Sequence, residues 1–217
     1  MKTNKKLRFL MMVSGVIFIG ISIAFLRLSN LGTDPYSTFN LGLSSLLKIQ
    51  FGTVSLIMNA LFLLFIFIFA RKNIGWGTLF NMVLVGYISD IMTSIFTNTF
   101  GDMDTFGMRI LFTVIGIIIL SIGAALYMAP ELGVSPYDAL PLILIEKISP
   151  NLSFRVAKVL IDFLFSGIGF LLGATIGMST IITSLFMGPI MQFFLNVFGQ
   201  WIENAEKVEP SSVEDSI

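Results

Sequence analysis

Residues 31–36 read LGTDPY, and residues 132–137 read LGVSPY. One hexapeptide pattern thus stands twice, 101 residues apart. Its chemistry is that of a chain that ends one helix and starts the next. The Leu-Gly pair admits the left-handed backbone that closes a helix. In the second copy Ser135 fits the N-cap, Pro136 the first helical position and Asp138 the third. The serine and the aspartate both serve unpaired amides there, and proline has no amide to lose. In the first copy Asp34 takes the cap, Pro35 follows, and Ser37 stands where Asp138 stands. The pattern predicts a tight helical hairpin in each half.

Outward from the hexapeptides, the rest of the chain repeats as well. Gly15 falls on Gly116 and Ala24 on Ala125. With slight slippage FGTVSLIMN (51–59) lies over FRVAKVLID (154–162), IGWGT (74–78) over IGMST (176–180), and Gly86 over Gly188. An ordered series of matches at offsets of 101 to 103 residues is the signature of an internal duplication. It divides the chain into a first repeat (1–97), a polar linker (98–107), a second repeat (108–203) and an acidic tail (204–217) expected to be disordered. Helices are predicted over 9–29, 35–48, 53–70, 76–97, 108–129, 136–148, 154–173 and 177–200.

Composition sets the solvent. Apolar residues make up 55% and charged residues 12% of the 217, against roughly 25% charged in soluble domains. FLMMVSGVIFIGISIAFL (9–26) and GTVSLIMNALFLLFIFIFA (52–70) hold no charge, and about 20 such residues cross a hydrocarbon core of about 30 Å. The expectation is an all-α integral membrane protein of two tandem repeats, each three long transmembrane helices plus one short helix. MKTNKKLR precedes an apolar stretch too long for a signal peptide and without a small-x-small cleavage site, so a retained first helix is expected. The net charge of zero hides segregation: Lys2, Lys5, Lys6 and Arg8 lie at one end, Glu203, Glu206, Glu209, Glu214 and Asp215 at the other. With no Cys and no His, disulfides, thiolate chemistry, imidazole bases and the usual zinc ligands are excluded. No cofactor is expected.

The two short helices leave the topology open. If both cross, there are eight spans and parallel repeats; if neither does, there are six and the repeats are inverted. With a cytoplasmic N-terminus, both arrangements leave ten of the 13 basic residues inside, so the positive-inside rule does not choose. Length favours six. The first short helix is amphipathic, with Tyr36, Phe39, Leu43 and Leu46 on one face and Ser37, Asn40, Ser44 and Lys48 on the other.

Ionisable groups at bilayer depth cost about 2.5–3.5 kcal/mol on insertion scales and mark function by default. Asp162 falls mid-helix, with Asn59 as its counterpart in the first repeat. Asp90 corresponds to Gln192, and Asn81 to Thr183. Broken helices meeting at a repeat interface are a common way to build a substrate pocket, and their N-termini suit anions or polar headgroups. The candidate substrate-binding residues are therefore Asp34, Tyr36, Asn59, Asp90, Ser135, Tyr137, Asp138 and Asp162, with Asp162 and Asp90 providing charge recognition or proton coupling. The acids of GDMD (101–104) and Glu131 read as solvated loop residues, and the small residues of GVIFIGISIA (15–24) and GIGFLLGA (167–174) as helix-packing faces. GWGT lacks the lysine and strand of a phosphate loop.

The paired LGxxPY hairpins, the IGxxT turns and Gly188–Pro189 resemble the bacterial YczE/YyaS/YitT family of multipass membrane proteins across about residues 9–200. The resemblance implies a bacterial inner membrane, and a short form without the soluble C-terminal domain of longer relatives. Asp34 departs from the serine more usual in that slot. The function expected is a secondary transporter or solute-binding protein for a small polar molecule, alone or as a homodimer. The alternatives are a scaffold or regulator acting on a membrane partner, and the substrate-capturing subunit of an energy-coupled importer. An enzyme is not expected: intramembrane aspartyl hydrolysis needs two facing carboxylates, and YISD (87–90) is a poor match. Nucleic-acid binding lacks the basic, aromatic surface it requires.

Overall fold

The computed structural model of the chain describes residues 5–69, 71, 74–101 and 105–208. Asp102 and Asp104 of the linker and tail residues 209–217 lie outside the described residues. The described elements are eight helices: α1 Lys5–Ser29, α2 Pro35–Leu47, α3 Phe51–Phe69, α4 Trp76–Phe100, α5 Phe106–Met128, α6 Ala139–Lys147, α7 Phe154–Leu171 and α8 Met178–Val208. α8 therefore runs five residues into the stretch expected to be an unstructured tail. Five helices, α1, α3, α4, α5 and α8, are long and apolar enough to cross a membrane. α7 is 18 residues long but carries Arg155, Lys158 and Asp162. Leu64, Ile68, Phe163 and Leu171 are each more than half exposed. So much outward-facing apolar surface needs lipid to cover it.

α1 is the centre of the packing. It runs antiparallel to α5, with Gly15 against Gly123 and Tyr127 at one end and Leu26 against Gly116 at the other. It runs parallel to α4: Phe9 meets Phe80 (5.5 Å between ring centroids), Gly20 meets Ile88, and Phe25 meets Phe96 (4.8 Å). α5 runs parallel to α8 in turn, from Thr113 at Ser179 (3.3 Å) to Ala125 beside Phe198 and Ile202. The small residues of 15–24 thus serve close approach within the chain. In 167–174, Gly169 does the same against Thr38 and Phe39, whereas Gly167 and Gly173 face open space.

The hexapeptides meet the other half of the chain. The Leu31 carbonyl accepts from Ser179 N (3.0 Å), and the Leu132 carbonyl accepts from Gly77 N (2.8 Å). Both donors are second-position amides of a helix, left unpaired by helix geometry. Each hairpin therefore caps the last helix of the opposite half. Gly75 and Gly177 make this possible, because a side chain there would occupy the place of the Leu132 or the Leu31 carbonyl.

Each short helix begins beside a turn of the opposite half. The approach to α2 rests on Gly177 and Ser179, and its Gly42 lies against Gly169 and Leu172, so both contacts are at the α7–α8 turn. The approach to α6 rests on Gly75 and Gly77, and Ala139 and Ile143 pack with Ile66 and Ile74 at the α3–α4 turn.

Capping follows the sequence expectation in α2, where Asp34 accepts from Ser37 N at 3.1 Å. The left-handed residues are Asn30 and Glu131 as well as Gly32 and Gly133, at matched positions in both halves. α6 starts three residues later than predicted. Pro141 has no amide to give the Tyr137 carbonyl, so Leu140 N bonds it instead (3.1 Å) and the first turn tightens. Ser37 and Asn40 of α2 are buried and Leu46 is 61% exposed. Burial in α2 follows its N-terminal half rather than one face, Phe39 being buried as well.

Candidate functional site

A cavity of about 550 Å³ lies between the halves. Of the eight residues singled out from the sequence, seven line it: Asp34, Tyr36, Asn59, Ser135, Tyr137, Asp138 and Asp162. Asn81, Thr183 and Gln192, the further matched polar positions, line it as well. The tyrosines of the two hexapeptides stack on each other, with ring centroids 4.8 Å apart and planes 19° from parallel. Tyr36 and Tyr137 are each other's counterparts, so this stack joins the two halves at equivalent points. Phe165 closes edge-on against Tyr137 (5.2 Å) and Phe62 (5.6 Å).

The second half carries the charge. Lys158 Nζ lies 2.9 Å from Asp162 Oδ1, 3.3 Å from Asp138 Oδ1 and 4.3 Å from the centre of the Tyr137 ring. The Tyr137 hydroxyl donates to Asp162 Oδ1 at 2.6 Å. Ser135 Oγ accepts from Asp138 N (3.1 Å) and donates to Asp138 Oδ2 (2.6 Å). Asp162 is 3% exposed. Buried carboxylates persist when paired and hydrogen-bonded, and this cluster supplies both conditions. Lys158 was the residue missed in the sequence. Its signal was its place one helical turn before Asp162, the spacing at which lysine and aspartate meet on one face.

The first half repeats the framework without the lysine and with Asp34 as its one carboxylate. Ser55 stands where Lys158 stands, and Asn59 where Asp162 stands. Asn59 Nδ2 donates to Ser55 Oγ at 3.4 Å, and the Tyr36 hydroxyl reaches the Ser55 carbonyl at 3.5 Å. Three buried polar atoms of cavity-lining residues have no hydrogen-bond partner: Asp34 Oδ2, Asn59 Oδ1 and the Tyr127 hydroxyl.

Asp90 sits elsewhere. Its Oδ1 is 2.7 Å from Arg27 Nη1, its Oδ2 accepts from Gly52 N at 2.7 Å, and Arg27 also donates to Ser89 Oγ. Asp90 thus ties α1 and α4 to the start of α3, serving an amide that the α3 sequence itself leaves uncapped. Its counterpart Gln192 does line the cavity. Asp90→Asn is expected to lower stability by about 1–3 kcal/mol, the cost of weakening a hydrogen-bonded charge pair. Thermal denaturation of the purified protein measures it.

Fold and site together define a multipass helical membrane protein with a cavity between its halves, largely apolar in its lining but carrying a cluster of charged side chains. Residues 6–196 match a family of unknown function, DUF6198, and the chain belongs to that family. It is 28% identical over 196 residues to the uncharacterized membrane protein YczE of Bacillus subtilis, covering 90% of this chain and 88% of that one. It is 27% identical over 182 residues to an uncharacterized protein of Haemophilus influenzae (84% and 80%) and 23% identical over 183 residues to the uncharacterized protein YyaS of B. subtilis (84% and 90%). No solved structure matches.

Proposed function

We propose that the protein is a solute-binding membrane protein of the secondary-transporter kind, with two inverted halves that each cross the bilayer three times. Its cargo is a small polar molecule held in the central cavity. The observation that carries this reading is the enclosure of Lys158, Asp138 and Asp162 in a cavity roomy enough for a ligand. Ionised groups at bilayer depth persist where they line a polar path or site. Inversion is supported by the antiparallel α1–α5 pair. Repeat-interface cavities of that kind suit alternating access. On this reading α1, α3, α4, α5, α7 and α8 cross, α2 and α6 do not, and both termini lie in the cytoplasm of a bacterium, at the inner membrane. The protein is not an enzyme on this reading: Arg27 holds Asp90, the partner carboxylate weighed for Asp162 in the hydrolase alternative, away from the cavity.

The scaffold alternative loses part of the feature that suggested it, although Gly167 and Gly173 of the second small-residue face still meet open space. The small-residue face of 15–24 is taken up by α4 and α5 of the same chain, so it offers no surface to another protein.

The chain contains no cysteine, so a single Asn59→Cys substitution gives a clean probe. A membrane-impermeant thiol reagent is expected to modify it in intact cells or inverted vesicles, because the cavity opens to water in at least one state. A cysteine unreactive from both sides contradicts the reading. Asp162→Asn is expected to reduce solute uptake or ligand-induced stabilisation by tenfold or more, about the weight of one charge-assisted bond; unchanged values remove Asp162 from the role.

A further inference from the structure

The two halves of the cavity differ in one respect that identifies a ligand chemistry. In the second half an ammonium group, Lys158 Nζ, sits between two acceptor side chains and over the face of Tyr137. In the first half the same framework is present with a different complement. Tyr36 supplies the equivalent ring, Asn59 the equivalent of Asp162, and Asp34 a carboxylate where the second half has Ser135. Ser55 replaces the lysine and is shorter by most of an alkyl chain. The half that lacks the built-in cation is also the half with the idle acceptors, Asp34 Oδ2 and Asn59 Oδ1, Asn59 being 2% exposed. Acceptors buried without a donor carry the full cost of desolvation, and a ligand bearing N–H groups relieves it.

We infer that the ligand is an organic ammonium ion, whose charged head occupies the first half of the cavity at the position that Lys158 Nζ holds in the second. The inference rests on the solute-binding reading above and gives it a substrate class. Three further observations support a cation over an anion. Three carboxylates and two cations line the cavity; Lys158 is already shared by two of the carboxylates, and Arg155 stands at an exposed position. The amides at the two hairpins, which suit an anion when free, are consumed internally: Ser37 N by Asp34 and Asp138 N by Ser135. The stacked tyrosines add aromatic faces to which a cation is attracted, as Lys158 already illustrates on Tyr137. Apolar neighbours such as Ile23, Val85 and Leu120 line the remaining space and suit the alkyl body of such a ligand.

The test is thermal denaturation of the purified full chain with n-butylammonium, n-butyrate or n-butanol, which share a body and differ in head-group charge. Butylammonium is expected to raise Tm in a saturable way, and the other two to leave it unchanged. Asp34→Asn is expected to raise the half-saturating concentration about tenfold, the size of one charge-assisted hydrogen bond. Asn59→Asp recreates the Asp162 position and is expected to lower it by a similar factor. Ser55→Lys places a tethered ammonium in the site and abolishes the response. Stabilisation by butyrate or butanol at least equal to that by butylammonium overturns the inference, as does a wild-type response in both Asp34→Asn and Ser55→Lys. No response to any of the three overturns it as well. The cavity reading survives those results if Asn59→Cys reacts with the impermeant reagent, and falls with the inference if it does not.

Discussion

Lys158→Met is expected to destabilise the protein by about 2–3 kcal/mol, below the 3–5 typical of a fully dry pair because the cavity admits some solvent. Methionine matches the volume of the lysine stem, so lost packing contributes little. What remains is electrostatic. Asp162 at 3% exposed and Asp138 lose the cation that lies within 3.3 Å of both, and they face each other with no countercharge between them. A second substitution separates this from a general disturbance. Adding Asp162→Asn to Lys158→Met is expected to restore most of the loss, since Tyr137 then donates to a neutral amide oxygen and Asp138 retains its Ser135 bond. The four proteins of this double-mutant cycle, compared by thermal denaturation, yield the coupling directly. A Lys158→Met variant as stable as the parent contradicts the account of the cluster.

Gly15→Ala is expected to cost about 1–3 kcal/mol, and Gly15→Val more, through overpacking at the α1–α5 crossing. A Cβ on Gly15 meets Tyr127 N at 2.5 Å, the Gly123 carbonyl at 2.7 Å and Tyr127 Cα at 2.8 Å. These are backbone atoms of a helix and have no rotamer by which to move aside. The two helices must separate, and Met12, Val16 and Tyr127 of the surrounding core separate with them. Gly167 provides the comparison: nothing lies within 4 Å of its Cβ position, so Gly167→Ala is expected to leave stability unchanged or raise it through helix propensity. Equal losses at the two positions contradict the packing described.

Much of this architecture was legible because matched sequence patterns write the register twice. Matching LGTDPY to LGVSPY and IGWGT to IGMST placed seven helices within about four residues of where they lie, α8 running eight residues further than predicted, and all the matched polar positions but Asp90 line one cavity. What the repeat did not disclose was its contact partner. The Leu31 and Leu132 carbonyls accept from amides of the opposite half, a crossing that no offset within one half encodes. Asp90 was misplaced because depth alone cannot tell two sides of a helix apart. Arg27 draws it aside, whereas the residue in the position equivalent to Arg27 is the apolar Met128, which leaves Gln192 to the cavity. Lys158 escaped notice because each charge was weighed singly, although its spacing from Asp162 was in plain view. α2 shows what the two faces of an amphipathic helix do not disclose: Ser37 and Asn40 of its polar face are buried, as is Phe39 of the apolar one.

The inverted, six-crossing arrangement is the claim on which cavity, function and ligand all rest, and a pair of single cysteines tests it. Gln50→Cys lies between α2 and α3, and Gly107→Cys lies at the start of α5, both at exposed positions. With the N-terminus cytoplasmic, the account predicts that a membrane-impermeant thiol reagent added to intact cells modifies both. Protection of both in intact cells, with modification in inverted vesicles, means eight crossings and parallel halves, and contradicts it.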